Sequence, residues 1–312
     1  MLFPSFEEVQ ALSAQFTLIP VSFTFAADHC SPLGMYQALA EGEPYALLLE
    51  GDFAANGRYA IAAAAPALTV RMENDAVSLK NGEEWAALPD AAPADFLHTL
   101  RNACTSPACQ PFFSGGLTGC CPDAQGSNGL LCQFQELAVY DRMNETITIV
   151  LPIHSTADLG AQYQAAEIRA AELGARIDRH RAQPQYWDDK PPVHAAFPIT
   201  EHDFAQHTVT IDNAPDSFEV YRRLRRMTNG GGLLYQMQDT GALLGWFPIA
   251  DTDKSLRTAG FMDFCGREDL RPLVCAAVYE RDRAALTVGG RSADEANAHA
   301  VCLLDAMNAS RR

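Results

Sequence analysis

From Asn229 to Gly245 the chain reads Asn-Gly-Gly-Gly-Leu-Leu-Tyr-Gln-Met-Gln-Asp-Thr-Gly-Ala-Leu-Leu-Gly. Consecutive glycines lift the steric limits that a Cβ imposes on the backbone. The apolar run behind them, its polar tip and the Thr240-Gly241 step predict a turn that feeds a strand, a hairpin and a return strand. Loops of this kind commonly carry a ligand.

The preceding chain is built from similar short segments. Ser5 with Glu8 predicts a capped helix of about ten residues. Phe16 to Val21 reads as a strand whose Pro20 belongs at a sheet edge. Tyr45 to Gly51 and Gly57 to Ala62 are strand-like, and 67–71 with 76–80 read as a hairpin across Glu73-Asn74-Asp75. A second hairpin joins 136–141 to 145–150. Between Ser155 and His180, Leu159, Tyr163, Ala166, Ala170, Leu173 and Ile177 form one helical stripe. Residues 181–200, with Pro184, Pro191, Pro192 and Pro198, read as a linker. This divides the chain into 1–180, a linker 181–200 and 201–312. In the last part, Arg222, Arg223, Arg225 and Arg226 read as a solvated helix face, and Ser292 caps a helix that ends apolar.

Composition excludes several classes of function. With 48% hydrophobic and 20% charged residues, 312 residues suffice for a buried core. A formal charge of -16 repels a phosphate backbone or an anionic membrane, so neither nucleic acid nor membrane is an expected partner. No apolar run approaches the roughly 20 residues of a membrane helix, and the opening Met-Leu-Phe-Pro lacks a basic leader. Nine irregularly spaced cysteines fit reduced thiols and a cytoplasmic location. His180, His194, His202 and His207 lack companions at ligand spacing, so no metal site is expected.

Beyond these local readings, the chain resembles the chorismate-utilising enzymes, above all component I of anthranilate synthase. Ser5 onward resembles the family's leading helix and Leu-Val-Pro-Val strand. Tyr45 to Gly51 and Gly57 to Ala62 resemble its Leu-Leu-Glu-Ser and Gly-Arg-Tyr-Ser strands, with Gly51 for the serine. Pro111 to Gly119 resembles Pro-Phe-x-Gly-Gly-x-x-Gly, and 136–142 the Val-Phe-Asp-His hairpin with Arg142 for the histidine. Asn229, Met237, Gln238 and Asp239 match an Asn-Pro-x-Pro-Tyr turn and Met-Gln-Asp hairpin, where the turn has become Gly230, Gly232 and Leu233. Ser217 to Arg225 is similar to a Tyr-Arg-x-Leu-Arg helix, and Ala259 to Gly266 to a late Val-Gly-Tyr-Phe-Asp-Phe-Asp-Gly hairpin.

The resemblance implies an α+β fold of stacked, mostly antiparallel β-sheets flanked by helices, a compacted component I. In anthranilate synthases the Glu-Ser strand and the Pro-Tyr turn form the feedback pocket for tryptophan. The implied ligand-binding residues are therefore Glu50, Gly51, Arg58, Asn229, Gly232, Leu233 and Leu234. Glycine amides could hold a carboxylate and Glu50 an amine. The plainer alternative is a Glu50–Arg58 ion pair at a strand edge.

The catalytic half is fragmentary. Ala250 and Thr252 resemble part of a Pro-Ile-Ala-Gly-Thr motif, Gly289, Gly290 and Arg291 a Gly-Ala-Gly loop, and Glu295 the glutamate of a terminal Glu-Thr-x-x-Lys helix. These are remnants of a chorismate site. Ala296 and His299 stand where Thr and Lys would be, and the family's other carboxylate helix has no counterpart. No catalytic residue, metal ligand or cofactor is therefore expected, with Mg²⁺ required only by an active enzyme. The functional expectation is a catalytically degenerate protein of the chorismate/tryptophan pathway that binds tryptophan, another amino acid or chorismate. Alternatives are a divergent active synthase and a non-catalytic subunit docking a glutaminase, a full-length component I or a second copy of itself.

Overall fold

The computed structural model describes residues 1–51, 58–82, 84–89, 91–108, 113, 115–121, 129–180, 208–227, 231–237, 241–246, 257–273, 275–280, 283–289 and 292–310. The linker expected at 181–200 lies outside them. Two long strands, β3 (Tyr59–Glu73) and β7 (Gly129–Asp141), pair antiparallel from Tyr59↔Asp141 to Met72↔Gly129 and form the spine of the sheet. Their register shifts between Pro66 and Leu68, beside Ala65 at φ 54. Pro66 has no N–H to give the ladder, so a local irregularity is the expected accommodation.

Neighbours change across that shift. One half of β3 borders β2 (Ala46–Glu50) and the other β4 (Ala76–Asn81), which itself pairs β5 (Glu84–Leu88). Likewise β7 borders β6 (Gly116–Cys121) along one half and β8 (Thr146–His154) along the other. The strand β1 (Leu18–Ala26) pairs β8, with Pro20 opposite Pro152. Among the described residues no further strand pairs its other side, which carries the Phe3–Ser22 bridge and the Leu18 N–H bond to the Thr105 carbonyl, the edge position expected for a proline strand.

From β2 the sheet continues through β10 (Gly232–Met237), β11 (Gly241–Trp246), β14 (Cys275–Glu280), β15 (Arg283–Val288) and β9 (Thr208–Ile211). From β6 it continues through β12 (Arg257–Asp263) to β13 (Glu268–Leu273). All these pairs are antiparallel, and β2–β10 and β6–β12 join strands from either side of residues 181–200.

Alternation along the strands separates two cores. Ala46, Leu48, Ala62, Leu234 and Leu244 face the helices. These are α1 (Phe6–Leu12), α2 (Pro32–Ala40), α4 (Leu159–Arg179), α5 (Ser217–Met227) and α6 (Ala293–Ser310), while α3 (Pro93–Ala103) packs by β4. Leu47, Leu49, Leu233 and Tyr235 face instead Ala259 and Phe261 of β12. Four strands separate β12 from β10 in the sheet order, so the sheet curls over and packs on itself. The α+β architecture implied by the resemblance is thus present, its stacking produced by one continuous sheet.

Local signals act as expected. The α1 capping box is complete: Glu8 N–H donates to Ser5 Oγ at 3.4 Å and Ser5 N–H to Glu8 Oε2 at 2.8 Å. The helix is shorter than expected, at 7 residues. Asp158 caps α4 by accepting from Ala161 N–H at 3.0 Å, and Ala166, Ala170, Leu173 and Ile177 form its buried stripe. Among the described residues no helix is long and apolar enough to cross a membrane.

Candidate functional site

Glu50 ends β2 and shares the helix-facing side with Ala46 and Leu48, so the alternation that fills the core also buries its carboxylate. Its side chain is 5% exposed. A buried carboxylate is tolerated only with close partners. Arg142, in the β7–β8 turn, gives Nη2 to Oε1 at 2.7 Å. On α5, Arg225 places Nε 2.8 Å from Oε2, and Tyr221 donates its hydroxyl to the same oxygen at 3.1 Å. Tyr221 and Arg225 are one helical turn apart, so both reach Glu50 from a single face. Burial, and then the Glu50 charge, push the Tyr221 phenol well up, so it remains a neutral donor.

Arg58 does not pair with Glu50, which corrects the strand-edge ion pair. It forks onto Asp141, Nε to Oδ1 at 2.8 Å and Nη2 to Oδ2 at 2.5 Å. The reason is register: Tyr59 stands opposite Asp141, whereas the partner of Glu50 in β3 is Ala60. Arg58 also accepts from Arg142 N–H through its carbonyl at 2.9 Å, so the two arginines are neighbours with different carboxylates. Asp141 additionally accepts from the N–H groups of Met143 and Asn144, at 2.9 and 3.3 Å. The Arg58 hydrogen bond foremost holds this carboxyl below the ordinary aspartate range.

The glycine turn closes on the same point. Gly232 is the register partner of Glu50, and a Cβ on Gly51 would overlap the Cα of Gly231. Gly51 has φ 125, so both its conformation and this backbone contact require glycine. Tyr221 covers Gly232, its Cε2 standing 2.8 Å from where a Cβ would be.

The structure thus brings Glu50, Gly51 and Gly232 together and places Arg58 two residues from Ala60, on Asp141. Leu233 and Leu234 enter opposite cores, as consecutive strand residues must. Asn229, Ala250, Thr252, Gly290 and Arg291 lie outside the described residues. Gly289 follows β15, where its carbonyl accepts from His299 Nδ1 at 2.7 Å, and Glu295 lies in the first turn of α6. Sequence reasoning missed Arg142, Tyr221 and Arg225. The basic run of α5, expected as a solvated face, turns Arg225 inward; the Tyr221/Arg225 spacing within an amphipathic helix was the available signal.

Comparisons with known proteins point to chorismate-utilising enzymes. Component 1 of anthranilate synthase from Arthrobacter globiformis is 26% identical over 206 residues, 58% of this chain and 39% of that protein. Component 1 of aminodeoxychorismate synthase from Bacillus subtilis (strain 168) is 23% identical over 261 residues, 76% of this chain and 53% of that protein. The crystal structure of anthranilate synthase component I from Streptococcus pneumoniae superposes with a TM-score of 0.50 at 12% identity, over 82% of this chain and 92% of that one, a likeness of fold. No family model matches the chain. The chain is similar to chorismate-utilising enzymes in sequence and in fold. It spans about half or less of the length of the two curated relatives.

Proposed function

We propose that this chain binds a small molecule and does not by itself turn over chorismate. The observation that carries the reading is the use of α6. Behind Glu295, the position that resembles the family's threonine is Ala296, fully buried in the helix-side core. The position that resembles its lysine is His299, which donates to the Gly289 carbonyl and meets the Trp246 ring edge-on at 5.0 Å. Alanine has no donor atom and His299 is engaged in packing, so these residues do not fit a Mg²⁺ site or a cationic substrate anchor.

The Glu50 centre supports a structural role on the same reasoning. The carboxylate oxygens already accept from Arg142 and Tyr221 and pair with Arg225, so an amino-acid ammonium would have to displace a guanidinium. The centre then works as a clasp joining β2, the β7–β8 turn and α5, and the ligand site lies elsewhere.

Purified protein supplied with chorismate, Mg²⁺ and ammonia is expected to show no anthranilate fluorescence. Metal-dependent turnover that disappears in Glu295→Gln would overturn the reading. A thermal-shift series with tryptophan addresses the clasp: stabilisation by tryptophan that Glu50→Gln removes would make this centre the ligand site instead.

A further inference from the structure

On the helix-covered side, at the opposite end of β10 from Glu50, lies a cleft of about 740 Å³. This is the size of ordinary small-ligand sites. Leu234 of β10 and Ala242 of β11 form apolar floor, while Tyr36 of α2 and Phe218 of α5 supply near-parallel rings, with centroids 6.2 Å apart and planes at 12°. Tyr279 of β14 completes the lining.

Tyr279 is the informative residue. It is 2% exposed, and its hydroxyl, buried from solvent, has no hydrogen-bond partner among the described residues. Leaving a buried hydroxyl unmatched is costly, so one beside a cleft points to a partner supplied by a ligand. The charge of Asp216, at the start of α5, acts on the Tyr279 hydroxyl and on the Tyr36 phenol. Burial foremost keeps both phenols protonated. Tyr36 is already committed, donating to Gln236 Oε1 at 3.3 Å, and Gln236 Nε2 donates to the Glu43 carbonyl at 3.4 Å.

The rim defines the charge of the ligand. Asp216 and Glu41 both line it, with His180 3.5 Å from Glu41. The N-terminus of α5 would by itself attract an anion, but Asp216 answers it, accepting from Glu219 N–H at 3.1 Å. What remains is an acidic rim above an aromatic and aliphatic floor, in a chain of net charge -16.

We propose that this cleft binds a small ring compound carrying a primary amine, with the ammonium at Asp216, the ring over Leu234 and Ala242, and a ring heteroatom hydrogen-bonded to Tyr279. The assignment deepens the binding half of the proposed function by naming its site and ligand class.

Tryptamine tests it, because it has the ring, an indole N–H and an ammonium but no carboxylate; indole-3-acetate is the matched acid. Titration calorimetry on the whole chain is expected to show saturable tryptamine binding, with indole-3-acetate weaker by at least about tenfold. Asp216→Asn removes the charge while keeping a good cap, and Tyr279→Phe removes only the unmatched hydroxyl; each is expected to weaken tryptamine by about tenfold without loss of folding. The proposal is overturned if tryptamine does not bind saturably, if neither variant weakens it, or if indole-3-acetate binds as well. Binding lost in Glu50→Gln but retained in both cleft variants would equally overturn it. Anthranilate formation in the turnover assay would overturn the non-catalytic reading and leave the cleft assignment standing.

Discussion

Tyr221 and Gly232 share one volume. A Cβ on Gly232 would stand 2.8 Å from both Cε2 and the hydroxyl oxygen of a tyrosine that is 1% exposed. The missing side chain in β10 is what admits the α5 ring, and the ring carries the hydroxyl to Glu50.

Gly232→Ala is therefore expected to destabilise the fold by about 1–3 kcal/mol, the usual cost of overpacking a well-filled site. Urea denaturation checks this. Combined with Tyr221→Leu, the two changes should cost less than their sum, because each removes one side of the same clash.

Removing the carboxylate should be costly but not fatal. Arg142 and Arg225 are 37% and 30% exposed, so on loss of Glu50 they can turn toward water. Glu50→Gln is expected to cost about 2–3 kcal/mol, below the range for a fully buried pair. Glu50→Ala should cost more, since the Tyr221 hydroxyl then loses its acceptor. Denaturation midpoints at constant slope would separate the two.

Acid stability depends in part on Asp141, whose folded carboxyl titrates below its ordinary value because of Arg58. A depressed carboxyl contributes stability above the unfolded value of about 3.9 and loses it as pH falls through the folded value. Asp141→Asn should cost about 1–2 kcal/mol at neutral pH, allowing for an Arg58 that is one-third exposed, and the gap to the parent should shrink below about pH 4. Stability measured against pH in both proteins tests the sign.

The alkaline limb runs the other way. Burial raises the phenols of Tyr36, Tyr221, Tyr235 and Tyr279. A raised group contributes stability that is full below the unfolded value of about 10 and is lost as pH rises above it. In a phenolate absorbance titration these four should stay silent until the chain unfolds, and an early signal from Tyr221→Phe equal to that of the parent would agree.

The sequence by itself determined what short-range chemistry controls. The Ser5 cap, the α4 stripe, the edge placement of Pro20 and the β7–β8 hairpin each depend on residues within a few positions of one another, where backbone geometry, proline and capping leave few choices. The resemblance to chorismate-utilising enzymes was legible for the same reason, since the motifs that carry it are contiguous segments. The glycine turn was legible as a special place, although not as the reason for it.

Only the tertiary structure decided which charges meet. Glu50 draws Arg142 from 92 positions away and Tyr221 from 171 away, and strand register rather than proximity in sequence gave Arg58 to Asp141. Local pattern says that a residue faces the core; it does not say what arrives from the other side. The same holds for the cleft, where α2, α5 and three strands converge on a tyrosine whose hydroxyl no segment of the described chain meets. Burial makes such long-range pairings decisive, because a polar group withdrawn from water must find its partner wherever the fold brings one.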